Sequence, residues 1–133
     1  TQLNILLLLI ARTLKRPERV EKRDRIGDVI HYIYTNFAKE ITLEQLSHEF
    51  YISPYYLCRE FKKHTNSTII QYLNVTRIMN AQRRLMETEA KITEISKEMG
   101  FSNITHFNRV FKSVTGMSPS GFRKQLKESA DRK

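Results

Sequence analysis

At 133 residues the chain has room for one ordinary domain or two very small ones, and this disfavours an elaborate catalytic architecture. Its 23 Lys plus Arg against 14 Asp plus Glu leave a formal charge of +9, a surface that attracts polyanions, nucleic acid first and anionic membrane second. A single cysteine, Cys58, excludes an internal disulfide, so nothing requires an oxidising compartment and a cytoplasmic protein is expected.

The first apolar run, ILLLLI at residues 5 to 10, is far shorter than the roughly twenty residues that cross a bilayer core. It also lacks the flanks of a secretory signal. Leu3, Leu6, Leu7, Ile10 and Leu14 form one stripe at helical spacing that stops before Pro17, which predicts a short amphipathic helix. Residues 15 to 25 carry six basic and three acidic side chains with almost no apolar content and read as an exposed connector. A boundary is expected there, with 1–23 set apart from the rest of the chain, and the opening Thr suggests a piece of a longer protein.

Ile26, Val29, Ile30, Ile33 and Phe37 predict a helix ending near Lys39. Thr42 then caps a helix carrying Leu43, Leu46 and Phe50, and Ser53 caps another with Pro54 in its first turn. Two short helices joined by a few residues make a helix-turn-helix, placed at 24–68. A connecting helix runs from Ile69 to Met86, assigned to 69–88, with Tyr72, Leu73, Ile78, Met79 and Leu85 among its apolar positions. The pattern then restarts in 89–133.

Ile92, Ile95 and Met99 repeat Leu43, Leu46 and Phe50 at an offset of 49, and Arg109, Phe111 and Lys112 repeat Arg59, Phe61 and Lys62 at an offset of 50. Gly100 suits a left-handed turn, whereas Tyr51 holds the matching place in the first copy, so the first turn is expected to be made differently. Ser118 and Pro119 open a closing helix through Phe122 and Leu126, and the tail is expected to fray. No segment alternates with period two, so the fold class is all-α: two helix-turn-helix subdomains joined by a long helix.

At about 100° per residue, Leu57 and Phe61 share one face of the first copy, as do Phe107, Phe111 and Val114 of the second. These are the expected core. Opposite them lie Tyr55, Cys58, Arg59 and Lys62, and then Thr105, Asn108, Arg109 and Lys112. Arg can bond bidentately to guanine O6 and N7, Asn to adenine, while Tyr, Thr and Cys can lie against a thymine methyl. The candidate base readers are therefore Tyr55, Cys58, Arg59, Thr105, Asn108 and Arg109. Ser53, Lys62, Lys63, Asn103, His106 and Lys112 suit phosphate oxygens and would set register. The 18 residues from Ile69 to Met86 span about 27 Å as a helix, near the about 34 Å between successive major grooves. The two readers, about 54–63 and 104–113, are thus expected in successive grooves of duplex DNA.

The run ITEISKEMGFSNITHFNRVFKSVTGMSPSGFR, with ISPYYLCREFKK and YLNVTRIMNAQRRLM before it, resembles the AraC/XylS family of bacterial transcription regulators over roughly residues 24 to 126. The resemblance implies an all-helical unit that inserts two recognition helices into adjacent major grooves, acts on the bacterial nucleoid and engages RNA polymerase. It also implies a separate N-terminal sensor or dimerisation domain, which makes Leu3, Leu6, Leu7, Ile10 and Leu14 a candidate contact to that domain or to a second copy. The sequence departs from the family pattern at HTNSTIIQ, which lacks the Gly that VTGMSPSG retains.

His31, His48, His64 and His106 are scattered, no metal or cofactor site is expected, and no catalytic set or glycine-rich phosphate loop stands out. An enzyme is not expected. The rival readings are a membrane-surface module, which needs basic and apolar residues along one amphipathic helix rather than basic positions on two separate helices, and a protein-binding module, whose binding is insensitive to salt. Operator, effector and sign of regulation are not legible.

Overall fold

The computed structural model describes residues 25–132, so the stripe from Leu3 to Leu14 and the connector before Arg25 lie outside it. The described residues form seven helices and no strand: α1 (Arg25–Asn36), α2 (Leu43–Glu49), α3 (Pro54–Thr65), α4 (Ile69–Glu87), α5 (Ile92–Glu98), α6 (Ile104–Thr115) and α7 (Pro119–Asp131). They divide into two compact units between Leu73 and Asn74, inside α4.

In the first unit α1 buries Ile26, Val29, Ile30 and Ile33, one side of a helix at steps of three and four. It ends at Asn36, before the expected Lys39. Thr35 and Asn36 turn their side chains back to the carbonyls of His31 and Tyr32, at 2.9 and 3.0 Å, an alternative to continuing the helix. Helix α2 opens on a capping box: Thr42 Oγ1 accepts from the Gln45 amide at 3.1 Å while Gln45 Oε1 accepts from the Thr42 amide at 2.9 Å. In α3 Leu57 and Phe61 are fully buried, and the Phe61 ring meets Tyr72 of α4 edge-on at 5.4 Å. Burial, with a contribution from Tyr34, pushes the Tyr72 hydroxyl up to about 12, so it stays protonated at any physiological pH.

In the second unit α4 contributes Ile78, Ala81 and Leu85, α5 contributes Ile95, and Met99 follows at the C-cap of α5. Aromatic rings fill the remainder in sequence: Phe101 to Phe107 at 5.1 Å, Phe107 to Phe111 at 5.7 Å, Phe111 to Phe122 at 5.7 Å. Val114, expected among them, is only half-buried, because it lies on the last turn of α6 beyond the Phe107–Phe111 pair. Two bonds of 2.9 Å join Arg84 of α4 to Glu98 of α5, and they raise the arginine's pKa and lower the carboxyl's. Arg123 of α7 donates to the carbonyls of Ala90 and Thr88 at 2.7 and 3.1 Å, tying the closing helix to the loop before α5.

The two turns are built alike, contrary to the expectation drawn from Tyr51. In the first, Phe50, Tyr51 and Ile52 donate to the carbonyls of Leu46, His48 and Ser47; in the second, Met99, Gly100 and Phe101 donate to those of Ile95, Lys97 and Ser96. This bonding needs a left-handed residue at the centre, and Tyr51 adopts φ 53° just as Gly100 adopts φ 98°. A side chain there costs roughly 1–2 kcal/mol. The Tyr51 ring is 87% exposed and demands no room, while Arg25 Nη1 donates to the Tyr51 carbonyl at 2.9 Å and Ser47 Oγ donates to that of Ile52. The single inserted residue of the second copy is Ser102, between the turn and the Asn103 cap. Tyr51→Gly is expected to raise stability by about 0.5–1 kcal/mol, the relief of strain less the added chain entropy of glycine. A lower melting temperature would mean that the ring makes a contact worth more than the strain.

The repeat also continues past the recognition helices. Asn66 at φ 60° closes α3 as Gly116 at φ 89° closes α6, each donating at 2.8 Å to a carbonyl one turn back, of Lys62 and Lys112. Asn is the residue that best replaces glycine there, so the missing Gly of the first copy changes nothing in the backbone. Thr65 and Thr115 then make the same bonds, to Phe61 and Ser67 and to Phe111 and Met117. Thr68 and Ser118 cap α4 and α7.

Candidate nucleic-acid interface

The buried pairs fix which way each recognition helix is turned. With Leu57 and Phe61 held inside, Tyr55, Cys58, Arg59 and Lys62 are all exposed on α3; with Phe107 and Phe111 held inside, Thr105, Asn108, Arg109 and Lys112 are all exposed on α6. All six candidate base readers therefore stand on outward faces, three in each unit.

The helix starts are equally ordered. Ser53 Oγ accepts from the Tyr56 amide at 3.2 Å and Asn103 Oδ1 accepts from the His106 amide at 2.8 Å. Capping occupies these oxygens but leaves the Ser53 hydroxyl hydrogen and the Asn103 amide group to donate outward. Lys62 and Lys112 lie on the last turns with exposed side chains, where a cation also complements the helix dipole. Lys63 approaches Glu60 at 3.7 Å, an exposed pair that holds it weakly.

The matching arginines are supported differently. The Arg59 guanidinium lies 5.6 Å from the Tyr55 ring centre and 5.4 Å from that of Tyr56, and its Nε donates to Glu60 Oε2 at 3.3 Å. Arg109 Nη2 lies 3.1 Å from His106 Nδ1. Arginine only donates, so a hydrogen bond between them has Nδ1 as its acceptor. The His106 ring is half-buried and packs edge-on against Phe101 at 5.5 Å.

Two contributors escaped the sequence reading, Tyr56 and Glu60, both of which support Arg59. Tyr56 and Glu60 are chain neighbours of Tyr55 and Arg59, a separation that helical-face rules do not flag. Among the described residues no three His, Cys, Asp or Glu side chains gather as metal ligands, and no helix is long and apolar enough to cross a membrane.

The family model for a helix-turn-helix domain matches residues 46–125, from α2 into α7. The chain belongs to the AraC family of DNA-binding domains. Among curated relatives of this AraC-type chain, an uncharacterized transcriptional regulator of Escherichia coli, YdiP, is 38% identical over 81% of the chain and 36% of its own length. AdaA of Bacillus subtilis, a bifunctional transcriptional activator and DNA repair enzyme, is 32% identical over 83% of the chain and 52% of its own length. The chain thus spans between about a third and a half of these relatives. Among solved structures, the C-terminal domain of AraT, a response regulator of Geobacillus stearothermophilus, superposes with TM-score 0.75 at 29% identity over 77% of the chain and 86% of that domain.

Proposed function

We propose that this AraC-type chain is the sequence-specific duplex-DNA reader of a bacterial transcription regulator, with α3 and α6 entering successive major grooves. The observation that carries this reading is the recurrence, at one offset, of an exposed Arg and Lys opposite a buried Phe, on helices with the same turn before them and the same cap after them. A solubilising charge has no reason to repeat with its scaffold. The excess of +9 and the exposed lysines supply attraction to phosphate. Base reading falls to Tyr55, Cys58 and Arg59 and to Thr105, Asn108 and Arg109. Ser53, Lys62, Lys63, Asn103, Lys112 and the Nε2–H of His106 meet the backbone. No catalytic step is assigned to the chain.

Selection of binding sites from random duplex DNA tests this. Arg59→Ala and Arg109→Ala are each expected to relax selectivity at a different base position, about one helical turn apart, at a cost of about 1–3 kcal/mol each. Unchanged site preference in both variants would contradict the assignment.

A further inference from the structure

The arginines that recur at matching positions differ in what orients them, and the difference has a functional consequence if both read bases. Arg59 leans on two tyrosine rings and on Glu60, with no imidazole among these partners. Arg109 is bonded instead to a ring nitrogen of His106, at 3.1 Å, and that bond exists only while the nitrogen carries no proton. The ring packs edge-on against Phe101 at 5.5 Å, which favours this orientation of the imidazole. Arg109 lies on its own helix, and on the same Phe101 ring stands Arg77 of α4, its guanidinium 5.4 Å from the ring centre. Among the described residues no carboxylate pairs with His106.

We propose that neutral His106 is a positioning residue that aims Arg109 at its base, so that the second half-site, unlike the first, is read in a pH-dependent way. This rests on the DNA-reading function proposed above. The bond to His106 uses one of the five N–H groups of Arg109 and leaves enough to form a bidentate contact with guanine, while fixing a long side chain that would otherwise sample many rotamers. The remaining ring proton, on Nε2, is available to a phosphate oxygen. Protonation at Nδ1 keeps that donor but abolishes the acceptor and sets a second cation beside the guanidinium. General affinity for DNA then persists, and selectivity at the base of Arg109 declines.

The test uses the whole chain and a site selected from random duplex DNA at about pH 7.5. Affinities are measured for that site and for two altered duplexes, one changed at the base whose selectivity Arg109→Ala removes and one at the base whose selectivity Arg59→Ala removes. The measurements are repeated at about pH 5.5, across the range in which imidazole ordinarily gains its second proton. Discrimination at the Arg109 position, roughly tenfold or more at the higher pH, is expected to fall at least about threefold, with the Arg59 position unchanged. His106→Gln, which retains an acceptor oxygen, is expected to hold discrimination at both pH values, and His106→Ala to lose it at both. Discrimination at the Arg109 position that ignores pH, that falls equally at both positions, or that still falls in His106→Gln overturns the proposal. A chain that binds no duplex at about pH 7.5 refutes DNA reading itself, a separate outcome.

Discussion

Binding to a selected duplex is expected to weaken about fortyfold between about 50 and 200 mM monovalent salt. The steepness comes from the exposed lysines of the two units, Lys62 and Lys63 of α3 and Lys112 of α6, while Ser53, Asn103 and His106 set register without adding a fixed cation. Three neutralised phosphates correspond to a log-log slope of about −2.7, because each releases its condensed counterion. Lys63 would leave Glu60 to contribute, and an exposed pair of this kind resists by no more than about 1 kcal/mol. Lys62→Ala is expected to weaken all sequences alike and to make the slope shallower by about one, unlike the arginine variants. The salt titration also separates the competing functions, since a protein-binding module gains nothing from counterion release. A flat response in fluorescence anisotropy would remove the basis for DNA binding.

The helices, their order and the outward faces were legible because each depends on a short stretch of sequence: apolar residues at steps of three and four, a Thr or Ser before a run, Pro in a first turn. The faces followed from the buried pairs, and Leu57, Phe61, Phe107 and Phe111 are indeed fully enclosed. What escaped depended on the backbone or on side chains meeting across the fold. Tyr51 was expected to force a different turn, yet the bonds to the carbonyls of Leu46, His48 and Ser47 outweigh a strain of roughly 1–2 kcal/mol. The equivalence of α4 and α7 was hidden because one capping residue is Thr and the other Ser, and because Tyr72 stands where the second copy has Phe122. The shared role, an edge-on aromatic contact with Phe61 or Phe111, appears only in three dimensions. Arg77 of α4 is buried against the Phe101 ring, and Arg84 pairs with Glu98 at the surface. Burial lowers the pKa of Arg77, because taking a guanidinium out of water disfavours its charged form.

Phe107→Ala is expected to cost about 3–5 kcal/mol, against about 1 kcal/mol for Val114→Ala on the same helix. Phe107 is fully buried and touches the rings on both sides, Phe101 at 5.1 Å and Phe111 at 5.7 Å, so its loss opens a cavity in the middle of the aromatic series. Val114 keeps part of its surface in water already and gives up less. Against a total stability of about 5–15 kcal/mol for a domain of ordinary size, the larger loss threatens the second unit as a whole. The effect on DNA reading arises from the same contacts. Phe101 supports His106, His106 holds Arg109, and removing Phe107 loosens the first of these. Discrimination at the Arg109 base is therefore expected to fall before the chain unfolds, while the Arg59 base, set by Leu57 and Phe61 in the other unit, continues to be read. Denaturant unfolding and half-site selectivity, measured on both variants, decide the matter. If Phe107→Ala unfolds no more readily than Val114→Ala, the aromatic series is not what fixes α6. If both half-sites lose discrimination together, the two units do not read DNA separately.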